Sequence, residues 1–166
     1  STPKDLIKKM LDNFDQHLTP KMREDIKKQG KTIYEIVTMA SILEKEAPID
    51  YAHGDNRDAR IIAGIFWDRI KNGQPLQSCA TLAYVLGVNK AQYSAEDTQV
   101  DSPYNTYQSR GLPVGPISNP GILAIEAAIY PLNTNYNYFL TPAGSNDIIY
   151  AATYDEHLRN KAKYLP

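Results

Sequence analysis

The chain has one cysteine among its 166 residues, Cys79. An internal disulfide and a cysteine-based zinc site are both excluded, since each needs partners that are missing. The three histidines, His17, His53 and His157, stand far apart without ligand spacing, so the sequence supports no metal site and implies no cofactor. No apolar run nears the roughly 20 residues that cross a bilayer, and the start does not resemble a secretory signal. An excess of basic charge is also absent: 18 Lys and Arg stand against 19 Asp and Glu, and no basic run exceeds two residues. A protein that holds nucleic acid by neutralising phosphates needs that excess, so nucleic acid is not an expected partner. Tyrosine and proline, in contrast, are plentiful, with 12 Tyr and 11 Pro against one Trp and three Phe. Tyrosine offers a ring face and a hydroxyl, which suits polar ligands with apolar faces such as sugars, although it serves equally in surface packing.

The length predicts one domain over residues 1–166, read as soluble and as an excised piece that an anchor could precede. Thr2-Pro3 with Asp5 starts a helix carrying Leu6, Ile7, Met10, Leu11 and Phe14 on one side, a packing helix. Thr19-Pro20 starts a second, short and charged, ended by Gly30. Thr32 and Glu35 form a capping box for a third, which Ala47-Pro48 stops. A polar loop, Ile49 to Asp58, precedes a fourth helix from about Arg57 to Asn72. Asn119-Pro120 opens another, ended by Pro131. The period then switches to two over Tyr136–Leu140 and Ile148–Ala151, a hairpin around a turn-rich loop. Thr153 to Lys163 closes the chain as a last helix. Helices dominate and the clearest strands pair antiparallel, so the expected fold class is α+β, mainly helical, with a long irregular loop and a C-terminal β-hairpin.

The third helix carries the chemistry. At about 100° per residue from Ile33, the residues Ile36, Val37, Ala40 and Leu43 share one face, and Glu44 falls at about 20° on the same side. Lys45 and Glu46, near 120° and 220°, are expected to point to solvent or a cleft rim. A glutamate set among apolar side chains resists ionisation, which raises its pKa and suits general acid work. A helix-end glutamate with a partly buried stem and a paired head fits the same count.

Two further stretches offer polar groups. The run QPLQSCAT, Gln74 to Thr81, presents Gln77 and Ser78 as candidate hydrogen-bonding residues, or a loop that caps the next helix. Between Asn89 and Pro120 the chain is irregular over a length that usually signals a functional loop. There Tyr104, Asn105 and Tyr107 could give ring faces and an amide to a polar ligand, or tie down the loop itself.

Taken together, ASILEKEA (Ala40–Ala47), LQSCAT (Leu76–Thr81), SPYNTYQSRGLPVGPISNPG (Ser102–Gly121) and TYDEHLRN (Thr153–Asn160) resemble the catalytic domain of the MltG (YceG-like) endolytic murein transglycosylases, in register from about residue 3 onward. The resemblance implies cleavage of the MurNAc–GlcNAc bond inside peptidoglycan strands, with the sugar's own 6-hydroxyl closing a 1,6-anhydro ring. The family's catalytic glutamate maps to Glu44, acting first as acid and then as base, so a second carboxylate and a metal are not required. Gln77, Ser78, Tyr104, Asn105 and Tyr107 are the implied substrate-binding residues. Cell-wall synthases are implied partners, and the parent protein is expected at the extracytoplasmic face of the bacterial membrane, held by an anchor and carrying a LysM-like subdomain outside this chain. Two positions depart from the family pattern: Cys79, where many members have an acidic residue, and Ile148, where many have histidine. A hydrolytic muramidase and a catalytically silent glycan-binding scaffold are the competing functions.

Overall fold

Three threonines turn extended chain into helix at the start of the fold. The computed structural model describes residues 2–165. Thr2, Thr19 and Thr32 each accept a backbone N–H three residues on, and Thr2 and Thr32 complete capping boxes with Asp5 and Glu35. The helices so started are α1 (Pro3–His17), α2 (Pro20–Lys28) and α3 (Ile33–Glu46). They are followed by α4 (Arg57–Lys71), α5 (Cys79–Leu86) and α6 (Ile122–Ile129). Strands β1 (Tyr138–Leu140) and β2 (Ile149–Ala151) and helix α7 (Tyr154–Tyr164) close the chain. The architecture is α+β, mainly helical with one antiparallel two-stranded sheet.

Helix α3 sits at the centre. It packs chiefly on α6 and also meets α2, α4 and α5, so Ile36, Met39, Ala40, Ile42 and Leu43 are all fully buried. That is more than one face of a helix. The single-sided count made from Ile33 therefore breaks down, because a helix covered on several sides has no solvent stripe to define its facing. The polar residues Thr38 and Ser41 are buried there as well. Ser41 is satisfied on both sides: its hydroxyl donates to Thr38 O (2.7 Å) and accepts from Ile117 N (3.0 Å).

The hairpin pairs Tyr138 with Ala151 and Leu140 with Ile149, shorter than the sequence period suggests. Phe139 reaches the core edge-on to Phe66 of α4, with ring centroids 5.8 Å apart. Tyr150 donates from its hydroxyl to Asp58 Oδ1 at 2.6 Å, fastening the sheet to the start of α4. Helix α6 begins at Ile122, two residues beyond the expected Pro120. Helix α1 has no buried residue, and Leu6, Ile7, Met10 and Leu11 stay exposed; only Phe14 touches the core. Its apolar stripe is real, but among the described residues nothing covers it.

Candidate active site

Two glutamates two residues apart end α3, and the fold gives them different work. Glu44 is half-buried. Its Oε2 accepts from the Tyr51 hydroxyl at 2.6 Å and from Gly121 N at 3.0 Å. A Cβ at residue 121 would collide with the Tyr51 ring, so only glycine lets the backbone come this close. Glu44 thus fastens both the 49–55 turn and the end of the long loop to the central helix.

Glu46, the last residue of α3, lines a cleft of about 620 Å3 instead. Its Oε1 accepts a short hydrogen bond from the Ser78 hydroxyl and another from Ala80 N at 3.2 Å. Both donors meet Oε1, which leaves Oε2 to carry the proton of the neutral acid. Desolvation raises the Glu46 pKa above the usual carboxylate range, against the opposing pull of those two donors and of the Arg69 guanidinium. The negative end of the α3 dipole works in the same direction as desolvation. Of the two places expected for Glu46, solvent or a cleft rim, it takes the cleft, with the start of α5 supplying its hydrogen-bond donors.

The loop that carries Ser78 is held from two sides. Gln77 N donates to Thr106 O (3.0 Å) and Ser78 N to Thr106 Oγ1 (3.0 Å), while the Thr81 and Thr106 hydroxyls meet at 2.8 Å. Arg69 donates to Leu76 O and Asn137 O from below. Gln77 sits at φ +53°, a left-handed conformation that costs a non-glycine residue of order 1–3 kcal/mol and persists only where its surroundings hold it. Its side chain is exposed.

The predicted binding residues separate accordingly. Ser78 is buried and given to Glu46. Asn105 has no exposed surface: its Nδ2 donates to Thr98 O and Val100 O, and its Oδ1 accepts from Tyr107 N. Both ends of that amide serve the loop. Tyr104 is half-buried and packs on Tyr84 with centroids 4.8 Å apart, and Tyr84 itself is exposed and lines the cleft. The Tyr107 hydroxyl lies 3.3 Å from the Cys79 sulfur, and burial pushes both groups toward their neutral forms. Sequence reasoning missed Tyr84, Thr81 and Thr106. Only the polar buried pair Thr81–Thr106 left a trace, as threonines inside otherwise functional-looking runs. Among the described residues no three His, Cys, Asp or Glu gather as metal ligands.

The model of the YceG-like family matches residues 1–163. The chain belongs to that family. It is 35% identical over 161 residues to an endolytic murein transglycosylase of Bacillus subtilis, covering 97% of this chain and 42% of that protein. A namesake from Streptococcus pneumoniae is 34% identical over 170 residues, covering 99% of this chain and 30% of its own length. The crystal structure of a putative yceG-like protein from Listeria monocytogenes superposes with a TM-score of 0.83 at 36% identity, over 96% of this chain and half of that one. The chain thus spans less than half the length of the curated relatives it matches. Of the two positions expected to depart from the family pattern, Cys79 lines the cleft beside Glu46, whereas Ile148 packs against the core.

Proposed function

We propose that this chain is the catalytic part of an endolytic peptidoglycan transglycosylase and that Glu46 is its acid and base. The observation that carries the reading is a cleft-lining carboxyl whose pKa desolvation raises and whose position Ser78 and Ala80 fix. The names of the relatives supply the substrate class. Glu46 donates its proton to the glycosidic oxygen as the bond to C1 of the muramic acid unit breaks. The carboxylate so formed then takes the proton of the 6-hydroxyl while O6 bonds to C1, closing the 1,6-anhydro ring and restoring the acid. No water is consumed. The one carboxylate among the cleft-lining residues favours this over a hydrolase, which uses a pair.

The resemblance of the motifs gave this role to Glu44, and the two assignments separate cleanly. Glu46→Gln keeps the volume and the Oε1 acceptor and removes the proton, so cleavage should fall by about 10²- to 10⁴-fold in a folded protein. Glu44→Gln should lose less turnover and show its effect as a lowered melting temperature. Reversed phenotypes would return the role to Glu44. Digestion of purified peptidoglycan with mass analysis decides the reaction: anhydro ends lack the water that hydrolysis adds, and ends carrying that water would mean a muramidase. No fragments at all would favour a silent glycan-binding domain. Anchorage at the extracytoplasmic membrane face and contact with cell-wall synthases belong to the same reading of the parent protein. Among the described residues no helix is long and apolar enough to cross a membrane.

A further inference from the structure

Neutral amino sugars need no cation, yet the cleft has one. Lys45 lines it, one residue from Glu46, and it is exposed, with neither an acidic partner nor a hydrogen bond among the described residues. Other lysines of the fold are held by carboxylates, as in Lys8–Asp12, Lys21–Asp25, Lys28–Glu24 and Lys90–Asp97. The remaining cleft-lining residues are uncharged apart from Glu46, whose burial favours the neutral acid. Lys45 is thus the one cation among the lining residues of the cleft. Lys161 of α7 adds further positive charge close enough to bear on the cleft-lining Cys79 thiol.

We propose that Lys45 is a specificity residue that binds a carboxylate on the 3-O-substituent of the muramic acid unit at the cleaved bond. The proposal rests on the glycan reading above. Muramic acid differs from glucosamine by a lactyl ether at O3, whose carboxyl is either free or extended by a short peptide with carboxylates of its own. C3 is separated from C1, the carbon that Glu46 serves, by C2 alone, so a substituent on O3 sits on the same ring as the scissile bond and within the span of a lysine side chain beside Glu46. An ammonium on a flexible four-carbon stem meets such an anion with a charge-assisted hydrogen bond. Lys45 would thus select muramic acid units over uncharged glucosamine units without touching the reacting atoms.

The test compares wild type, Lys45→Gln and Lys45→Arg on three strand preparations. One carries native stem peptides, one has had the stems removed so that lactyl carboxylates are free, and one has had every stem carboxyl amidated with carbodiimide and ammonia. On a preparation bearing the recognised carboxylate, Lys45→Gln should raise KM about tenfold with kcat within about threefold, and Lys45→Arg should recover most of the loss. On amidated strands wild type and Lys45→Gln should converge. An effect confined to native strands identifies the stem as the source, one confined to stripped strands identifies the lactyl group, and one on both means that Lys45 accepts either carboxylate. Equal KM values for wild type and Lys45→Gln on both carboxylate-bearing preparations would overturn the proposal, as would a difference that survives amidation. If wild type released anhydro ends from none of the three, the glycan reading itself would fall and this inference with it.

Discussion

Glu44 and Glu46 differ by two positions in sequence and by an entire environment in space. Both meet two donors at half-buried sites, but Glu44 ties the 49–55 turn and the long loop to the helix, while Glu46 lies at the helix end beside a cleft, where desolvation raises its pKa. A raised folded-state pKa has a consequence for stability. Below the ordinary glutamate value near 4.5 both folded and unfolded chains hold the proton, and Glu46 costs nothing. As pH rises from there to the folded pKa, the unfolded chain ionises freely and the folded one does not, so stability is lost across that window and no further above it. Glu46→Gln, which cannot ionise, should melt close to wild type at pH 4 and above it at pH 8. An equal offset at both pH values would mean that the carboxyl is solvated. Turnover should in turn fall as pH rises through the Glu46 pKa, since the resting acid must be protonated. None of this was legible in ILEKEAP. Periodicity fixes which residues share a face but not what stands opposite, and α5 arrives from more than thirty residues away.

At the scale of elements the sequence was more open. Every helix start marked by threonine is where the caps place it, because a cap is a local bond between residues three apart. The long loop was legible as shaped but not as to its purpose. Residues 102–121 are bonded into the fold at Thr106, Ile117, Ser118 and Gly121, the last three directly onto α3. The loop thus positions α5 and with it Ser78 behind Glu46. Asn105 is the clearest case. With both ends of its amide spent on loop backbone, Asn105→Ala should leave buried groups unpaired and cost about 1–3 kcal/mol. Activity should then decline in step with melting temperature, and recover when the mutant is assayed well below its melt. Loss of turnover at full stability would place the amide in the cleft after all. Tyr84, which no motif singled out, is the better candidate for a ring against sugar: exposed, at the cleft, and backed by Tyr104. Tyr84→Ala should raise KM severalfold with little effect on the melt.

Across the whole molecule the core is built by α2 to α6 and the hairpin, and α1 stands apart from it. The sequence showed a strong apolar stripe on α1 and so predicted a packing helix, which was the right reading of its period and the wrong one of its partner. Amphipathicity states that a face is apolar, not that this chain supplies its cover. Truncation tolerance follows from burial and backbone bonding and not from sequence position. Leu6, Ile7, Met10 and Leu11 are each more than half exposed, and the ties of α1 to the rest run through its end, at Phe14, at Leu18 and at the Arg23–Asp15 pair. Removing residues 1–12 leaves all of those in place. The truncated chain should melt within about 1 kcal/mol of the full one, the range of surface changes that break no core contact, and should keep its turnover on peptidoglycan. The stripe it loses is exposed apolar surface, so the shortened protein should also be the more soluble of the two. A drop of many degrees in the melt, or loss of turnover in a chain that remains folded, would show that α1 packs on the body of the protein and that its apolar face is covered in solution.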